Sequence, residues 1–344
     1  MTEACDVCQA VDTMTPLVEA GLIGVGPVWI HQCSGCGFRQ VRPRMNEACL
    51  GSLYSGDYFD PTAPQGFSGY ARQHQRYKRD AFFLAKELRA MGRSGRLLEV
   101  GSALGFFLGA LSQTTAWHIE GVEVSPFGAW YARDRFGVMV HQATLEDARL
   151  PSDAFDYVLQ KDLLEHVIEP RRHLGETRRI MRSGARMRLI TPNGEADIRP
   201  LQRTPTSSTD VPVLGQGHLS FFSRRQLLRM LEDTGFRVLR FRNIGIRRGI
   251  RALGLIPGWT RGPALARRET LTRPTAASDM RTGPAVDIDH ETLAARIDAE
   301  IAQSYSRLRG WRPYYHYRYL MKRLDTLPAS MTIGQDFDVV VDKA

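Results

Sequence analysis

Lysine is scarce in this chain. Of 344 residues, 46 are Lys or Arg, yet only Lys78, Lys86, Lys161, Lys322 and Lys343 are lysine. The arginines are spread from residue 39 onward without a dense block. The net charge of +9 therefore reads as a compositional bias rather than a nucleic-acid strip, and a polynucleotide partner is disfavoured. Arginines are frequent from 171 to 268, which leaves an anionic, phosphate-bearing acceptor open. Long apolar runs are missing too. No stretch reaches the roughly 18 apolar residues that a membrane-spanning helix needs. The start, Met1 to Asp6, lacks the basic and apolar regions of a signal peptide, so a cytoplasmic location and no membrane partner are expected. Internal repeats are also absent.

Cysteine is sparse and unevenly placed. Four of the five form two C-x-x-C pairs, Cys5/Cys8 and Cys33/Cys36. Each pair suits a tight knuckle, and four thiolates close a tetrahedral zinc site with no position open for water, so such a zinc is structural. Disulfides or free thiols are the alternatives. Short apolar runs between the pairs, including Val28 to Ile30, read as ribbon strands, and residues 1–45 form a candidate zinc ribbon. Cys49 falls outside the pattern and reads as a small core residue.

Against these absences stands one dense signal, residues 96–108. Leu97, Leu98 and Val100 read as a buried strand. Gly101 and Gly105 allow a sharp turn and close approach of a ligand. Glu99 sits just before the turn. The next strand ends on Glu123, 22 residues after Gly101, about the spacing at which a strand-end acid receives ribose hydroxyls. The pattern is G-x-x-x-G with an acid ahead of it. A dinucleotide site would carry G-x-G-x-x-G and place phosphate on the helix N-terminus. An acid here suits a ligand with a positive amino group and no phosphate. The bland alternative is an ordinary strand–helix junction.

The remaining pattern predicts an α/β chain. Residues 46–95 bridge to the core as a cofactor-lid segment, with aromatic turns at 53–59 and 66–70 and a helix over 71–92 whose apolar side carries Tyr77, Phe82, Leu84 and Leu88. Strands are expected at 96–100, 118–124, 138–142, 156–161 and 186–191. Helices are expected at 105–115, 127–136, 168–182 and 223–235. Such alternation implies a doubly wound, mainly parallel sheet. Strands at 236–243 and 336–341 bring it to seven, so the core is 96–243 plus 336–344. Residues 244–335 read as an insertion: loop-like and partly disordered near 255–288, then helical, with Asp289 as a cap ahead of Leu293, Ile297 and Ile301. Its aromatic set, Trp311, Tyr314, Tyr315, Tyr317 and Tyr319, suits a lid or dimer element, or else an aromatic ligand box. Monomer and homodimer both remain open.

Residues 96–108 resemble motif I of the class I S-adenosylmethionine-dependent methyltransferases, and Glu123-Val-Ser-Pro126 resembles motif II. Residues 156–170, with Leu164-Glu-His-Val167 and Pro170, resemble the fourth-strand segment of one subset of them. Gly217-His-Leu-Ser-Phe-Phe-Ser223 followed by Leu227, Leu231, Gly235 and Phe236 resembles another signature of that subset. It includes ubiquinone-type O-methyltransferases and zinc-bearing sugar methyltransferases of natural-product pathways. The resemblance implies a Rossmann-like core that binds S-adenosylmethionine through Tyr70, Glu99, Gly101, Ser102, Ala103, Gly105, Phe106, Phe107, Glu123, Val124, Ser125, Glu146, Asp147 and Lys161. The chain departs from the pattern at Ala103, where a glycine is usual. It also reads Leu214-Gly-Gln-Gly-His218 where sugar C-methyltransferases carry a tyrosine and a glutamate, which argues against C-methylation.

Methyl transfer to a hydroxyl needs a positioned acceptor and a base. His218 and His166 are the candidates, because imidazole titrates near neutrality. Each has a structural alternative: His218 as a pin for its loop, His166 as part of a network beneath the cofactor. Asp162, Glu165 and His166 share one side of a helical turn, and the resemblance implies that such a set can hold a divalent ion. The expected function is O-methylation of a small hydroxylated metabolite or sugar in a biosynthetic pathway. A zinc-ribbon-assisted RNA methyltransferase and a non-catalytic scaffold of the same fold are the rivals.

Overall fold

The computed structural model describes residues 4–22, 25–46, 54, 56–60, 70–92, 94–207, 209–214, 217–245, 265–267, 289–308, 326–327 and 334–344. Three strands open the chain, β1 (Met14–Leu22), β2 (Gly26–Cys33) and β3 (Arg39–Arg42). Helix α1 (His74–Met91) leads to β4 (Arg96–Val100). There follow α2 (Phe106–Ser112), β5 (His118–Glu123), α3 (Pro126–Phe136), β6 (Met139–Gln142) and β7 (Phe155–Lys161). Then come α4 (Pro170–Ile180), β8 (Met181–Pro192), α5 (Gly194–Gln202), β9 (Asp210–Pro212), β10 (Ser220–Phe221), α6 (Arg224–Asp233) and β11 (Phe236–Ile244). The insertion contributes β12 (Leu265–Arg267), α7 (His290–Leu308) and β13 (Thr326–Leu327), and β14 (Asp336–Lys343) ends the chain.

The main sheet has the order β13-β11-β14-β8-β7-β4-β5-β6. Strands β4 to β8 pair in parallel, and β14 runs antiparallel to both β8 and β11. The seven-stranded doubly wound core is thus as expected, and two-residue β13 extends its edge. Strand order reverses between β4 and β7, which opens a crevice at the strands' C-terminal ends. Alternation along the strands feeds two cores. Leu97, Tyr157 and Leu159 face α1, α2 and α3. Leu98, Val100 and Val158 face the side that holds α4 and α6.

The ribbon is not a free-standing unit. Its sheet runs β1-β2-β3-β10, and β10 comes from the core. Cys5, Val7, Cys33 and Phe38 are buried in the same cluster as Leu227 and Met230 of α6, with Phe38 and Phe222 ring centroids 5.2 Å apart. The expected boundary at residue 45 therefore marks a change of sequence character and not a gap in packing.

Other differences are local. Residues 71–73 form a 3₁₀ turn before α1. Phe82, expected on the apolar side of α1, is 46% exposed and lies beneath the Lys86 ammonium. Helix α5 was not expected. Asn193 caps it by accepting from the Glu195 N–H, and Ile198 and Leu201 bury against Ala20, Leu22 and Ile30 of the ribbon. Asp289 caps α7, whose Leu293, Ala294 and Ile297 pack on Phe59, Ala71, Phe127 and Tyr131. The aromatic set 311–319, Cys49 and nearly all of 255–288 lie outside the described residues.

Candidate active site and thiolate cluster

The crevice at the strand ends widens into a cleft of about 970 Å³. Glu99, Gly101, Ala103, Glu123, Val124, Glu146, Asp147, Lys161 and Tyr70 line it, as do His166 and His218. Gly101 takes φ +75°, a conformation that the turn requires and L side chains rarely adopt. Five other expected cofactor residues do not reach the cleft. Gly105 opens α2, and a Cβ there would lie 2.5 Å from Ala132, so its role is helix packing. Phe106 sits in an aromatic cluster against Tyr70, His74 and Tyr131, and Phe107 packs in the core beside α1. Ser102 is buried outside the lining. The Ser125 hydroxyl accepts the Gly128 N–H as the cap of α3. For Gly105, Phe106 and Phe107 the cause is the path of α2, which leaves the turn and runs into the apolar layer.

Glu123 is held in place by the backbone. Ala103 N–H donates to its Oε2 (2.7 Å) and Ser125 N–H to its Oε1 (2.8 Å). Burial raises its pKa although these donors pull the other way. Glu99 is raised to about 8 by burial, against the pull of the Lys161 ammonium, and its Oε2 has no hydrogen-bond partner among the described residues. An orphaned buried carboxyl beside a second acid disfavours a phosphate ligand and favours a cation. The sulfonium and amino groups of S-adenosylmethionine fit that demand. Glu146 accepts from His173 Nδ1 (3.3 Å), while Asp147 is engaged by the Thr144 hydroxyl (2.8 Å). Tyr54, Tyr58, Phe59 and Tyr77 add an aromatic wall that the resemblance did not supply.

Also lining the cleft, His166 and His218 meet edge to face, with centroids 5.0 Å apart. His218 Nδ1 lies 2.8 Å from Asp197 Oδ2. Burial alone would depress the His218 pKa, but the Asp197 carboxylate outweighs it and lifts it to about 9. His166 is lowered to about 3 by burial and by the charge on His218. Its Nδ1 lies 3.2 Å from the Gly217 carbonyl, to which it donates. Asp197 was missed because it sits on the unexpected helix α5, and no local spacing links it to residue 218.

The expected ion set changes membership. Asp162 takes φ +52° and only Leu164–His166 forms a turn, of 3₁₀ type, so the α-helical spacing that would align Asp162 with Glu165 and His166 is not realised. The ligating atoms that come within 4.8 Å of one another belong to Glu165, His166 and His218. The Asp162 side chain is 50% exposed.

Cys5, Cys8, Cys33 and Cys36 also converge within 4.8 Å. Cys5 and Cys36 sulfurs are 3.6 Å apart, as are Cys8 and Cys33. A disulfide would require about 2.05 Å. Four thiolates at about 2.3 Å from zinc stand roughly 3.8 Å apart in a tetrahedron, so the cluster is compatible with zinc. No helix among the described residues is long and apolar enough to cross a membrane.

Residues 70–240 match the family described as "Methyltransferase domain". The chain is 26% identical over 172 residues to the 2-methyl-6-phytyl-1,4-hydroquinone methyltransferase 2 of Oryza sativa subsp. japonica, covering 48% of this chain and 46% of that one. It thus spans about half the length of this relative. Among solved structures, the [4+2]-cyclase SpnF is similar at TM-score 0.46 and 16% identity, over 88% of this chain and 98% of that chain. A SAM-dependent methyltransferase from Thermotoga maritima is similar at TM-score 0.39 and 21% identity, over 58% and 89%.

Proposed function

We propose that this chain, which belongs through residues 70–240 to the class I S-adenosylmethionine-dependent methyltransferases, methylates a hydroxyl group on a small molecule. The observation that carries the reading is the Asp197–His218 pair in the wall of the cleft, beside His166. A carboxylate that holds one imidazole nitrogen orients the other and raises its basicity. His218 Nε2 is therefore the proton acceptor for the incoming hydroxyl. His166 is neutral across the working pH range, with Nδ1–H committed to Gly217, and its Nε2 lone pair is left to accept a hydrogen bond from the acceptor. Glu123 receives the ribose hydroxyls, and Glu99 receives the cofactor's ammonium. The cofactor, when bound, supplies an electrophilic methyl group on sulfur.

The rice relative is named for a hydroquinone, which agrees with a phenolic or similarly hydroxylated acceptor. The four N-terminal cysteines hold one structural zinc ion on this reading. Incubation of the full chain with methyl-labelled S-adenosylmethionine and a panel of phenols and hydroxylated sugars should give products heavier by one methylene. Label that enters RNA and none of the small hydroxylated compounds would overturn the proposal.

A further inference from the structure

Glu165 has no part in the proton chemistry above, although it lines the cleft. It is 1% exposed and is pinned from two sides. The Thr191 hydroxyl donates to its Oε2 (2.9 Å), and its carbonyl accepts the Leu219 N–H (2.7 Å). These bonds tie it to β8 and to the residue ahead of β10. Its Oε1 has no hydrogen-bond partner among the described residues. His166 Nε2 lies 3.9 Å from that oxygen, beyond hydrogen-bond distance. A ring nitrogen of His218 completes a group of three, whose atoms all lie within 4.8 Å of one another.

A buried carboxyl oxygen without a partner is costly unless a ligand completes it. The reacting hydroxyl belongs to His218. It gives its proton to Nε2 and takes the methyl on oxygen, while the electron pair of the broken S–C bond stays on sulfur. Glu165 Oε1 and the His166 lone pair are then still unanswered. The space between them admits one oxygen in reach of both. A hydroxyl fits, since it brings a proton that either can accept. An ether or a C–H would leave both bare. The small span of the group puts this second hydroxyl next to the first. After one transfer, a product turned end for end would set its methyl ether against Glu165 and His166, where it has no proton to offer.

We infer that the acceptor carries hydroxyls on two adjacent carbons, that Glu165 with His166 seats the one that does not react, and that transfer stops after a single methyl. This rests on the reading that His218 deprotonates a small hydroxylated acceptor.

Matched isomers test it: catechol against resorcinol, and the vicinal cyclohexanediol against the one spaced by a further carbon. Both members of each pair offer two hydroxyls, so only their spacing differs. In at least one pair, the wild-type chain should favour the vicinal isomer by about 10-fold in kcat/KM, the worth of one hydrogen bond, with a monomethyl ether as the sole product. Glu165→Leu should erase that preference by slowing the vicinal isomer and should change the spaced one little. Glu165→Gln should keep much of it, because the amide still forms a hydrogen bond. Equal rates within both pairs, a dimethyl product, or a Glu165→Leu variant that slows both isomers alike would overturn the inference and leave O-methylation standing. So would EDTA-treated protein that regains the preference only with magnesium, which would give the three atoms to a cation. Label that enters RNA and none of the diols would remove the small-molecule reading, and the inference with it.

Discussion

The 2.8 Å contact between Asp197 and His218 sets two pH dependences of opposite sign. Because His218 is lifted to about 9 from an unfolded value near 6.5, the pair stabilises the fold in full below about pH 6.5, and this contribution is lost as pH rises through about 9. Catalysis runs the other way, since only the neutral imidazole accepts a proton. The rate of methyl transfer should therefore climb with an apparent pKa of about 9. In Asp197→Asn the carboxylate no longer opposes burial, and the rising limb should move to about 6.5 or below, with a lower plateau. A pH–rate profile for both proteins checks this, and an unmoved limb would take the base role away from His218. At the other end of the cleft, Glu123→Ala should cost at least about 1.5–3 kcal/mol of S-adenosylmethionine affinity, the worth of one charged hydrogen bond, if its hydrogen bonds to the ribose are lost. Its backbone donors, Ala103 and Ser125, would then lack an acceptor, so the turn should loosen as well. Unchanged affinity by calorimetry would place the ribose elsewhere.

At the scale of elements, the ribbon and the acceptor wall are one structure. Strand β3 pairs with β10, and Val41 N–H donates to the Leu219 carbonyl (2.8 Å), next to His218. Leu219 N–H in turn donates to the Glu165 carbonyl (2.7 Å), next to His166. The Arg171 guanidinium binds the Asp6 and Val7 carbonyls of the first knuckle (2.7 Å each), and the Gln226 amide binds the Cys36 carbonyl of the second. Loss of the thiolate cluster should therefore loosen residues 217–221 as well as residues 4–42. Cys33→Ser should lose the metal and raise the acceptor KM, while S-adenosylmethionine affinity changes by less than about threefold, a difference below about 0.7 kcal/mol. Elemental analysis, calorimetry and steady-state kinetics on the same sample test each part. Zinc-free, fully active wild-type protein would refute it. This coupling was invisible in the sequence. The C-x-x-C spacing marks the knuckles because the chemistry of zinc dictates it, whereas a two-residue strand such as β10 leaves no period to read. Helix α5 was hidden for a related reason, since Gly194 begins it and Pro200 lies inside it, and both residues ordinarily punctuate helices. The core strands were legible because buried parallel strands are continuous apolar runs bounded by turn residues. Asp197 and the reassigned ion set were not, because they depend on which loops the fold brings together.

For the whole molecule, helix α7 of the insertion packs against residues that border the cleft. Helix α7 places Leu293, Ala294 and Ile297 against Phe59 and Ala71, which belong to two short 3₁₀ turns at Gly56–Phe59 and Ala71–Gln73. Arg296 pairs with Asp60 (3.1 Å) and Glu300 with Arg72 (2.6 Å), one ion pair beside each turn. Phe59, Tyr70 and Gln73 line the cleft. Turns this short bury too little surface to hold themselves in place, so their order depends on the apolar face of α7. The ion pairs are partly exposed and contribute little by comparison. Ile297→Ala, at a site that is 1% exposed, should therefore destabilise the packing by about 2–5 kcal/mol, felt first where the protein is weakest. Hydrogen exchange should accelerate at residues 56–60 and 70–73 well before it does in β4 or β7, and S-adenosylmethionine should dissociate faster while the pH–rate limb set by His218 stays put. Arg296→Ala should show the same pattern at much smaller amplitude. Uniform acceleration of exchange across the sheet, with no preference for the two turns, would mean that α7 stabilises the fold as a whole and does not order the wall of the cofactor site.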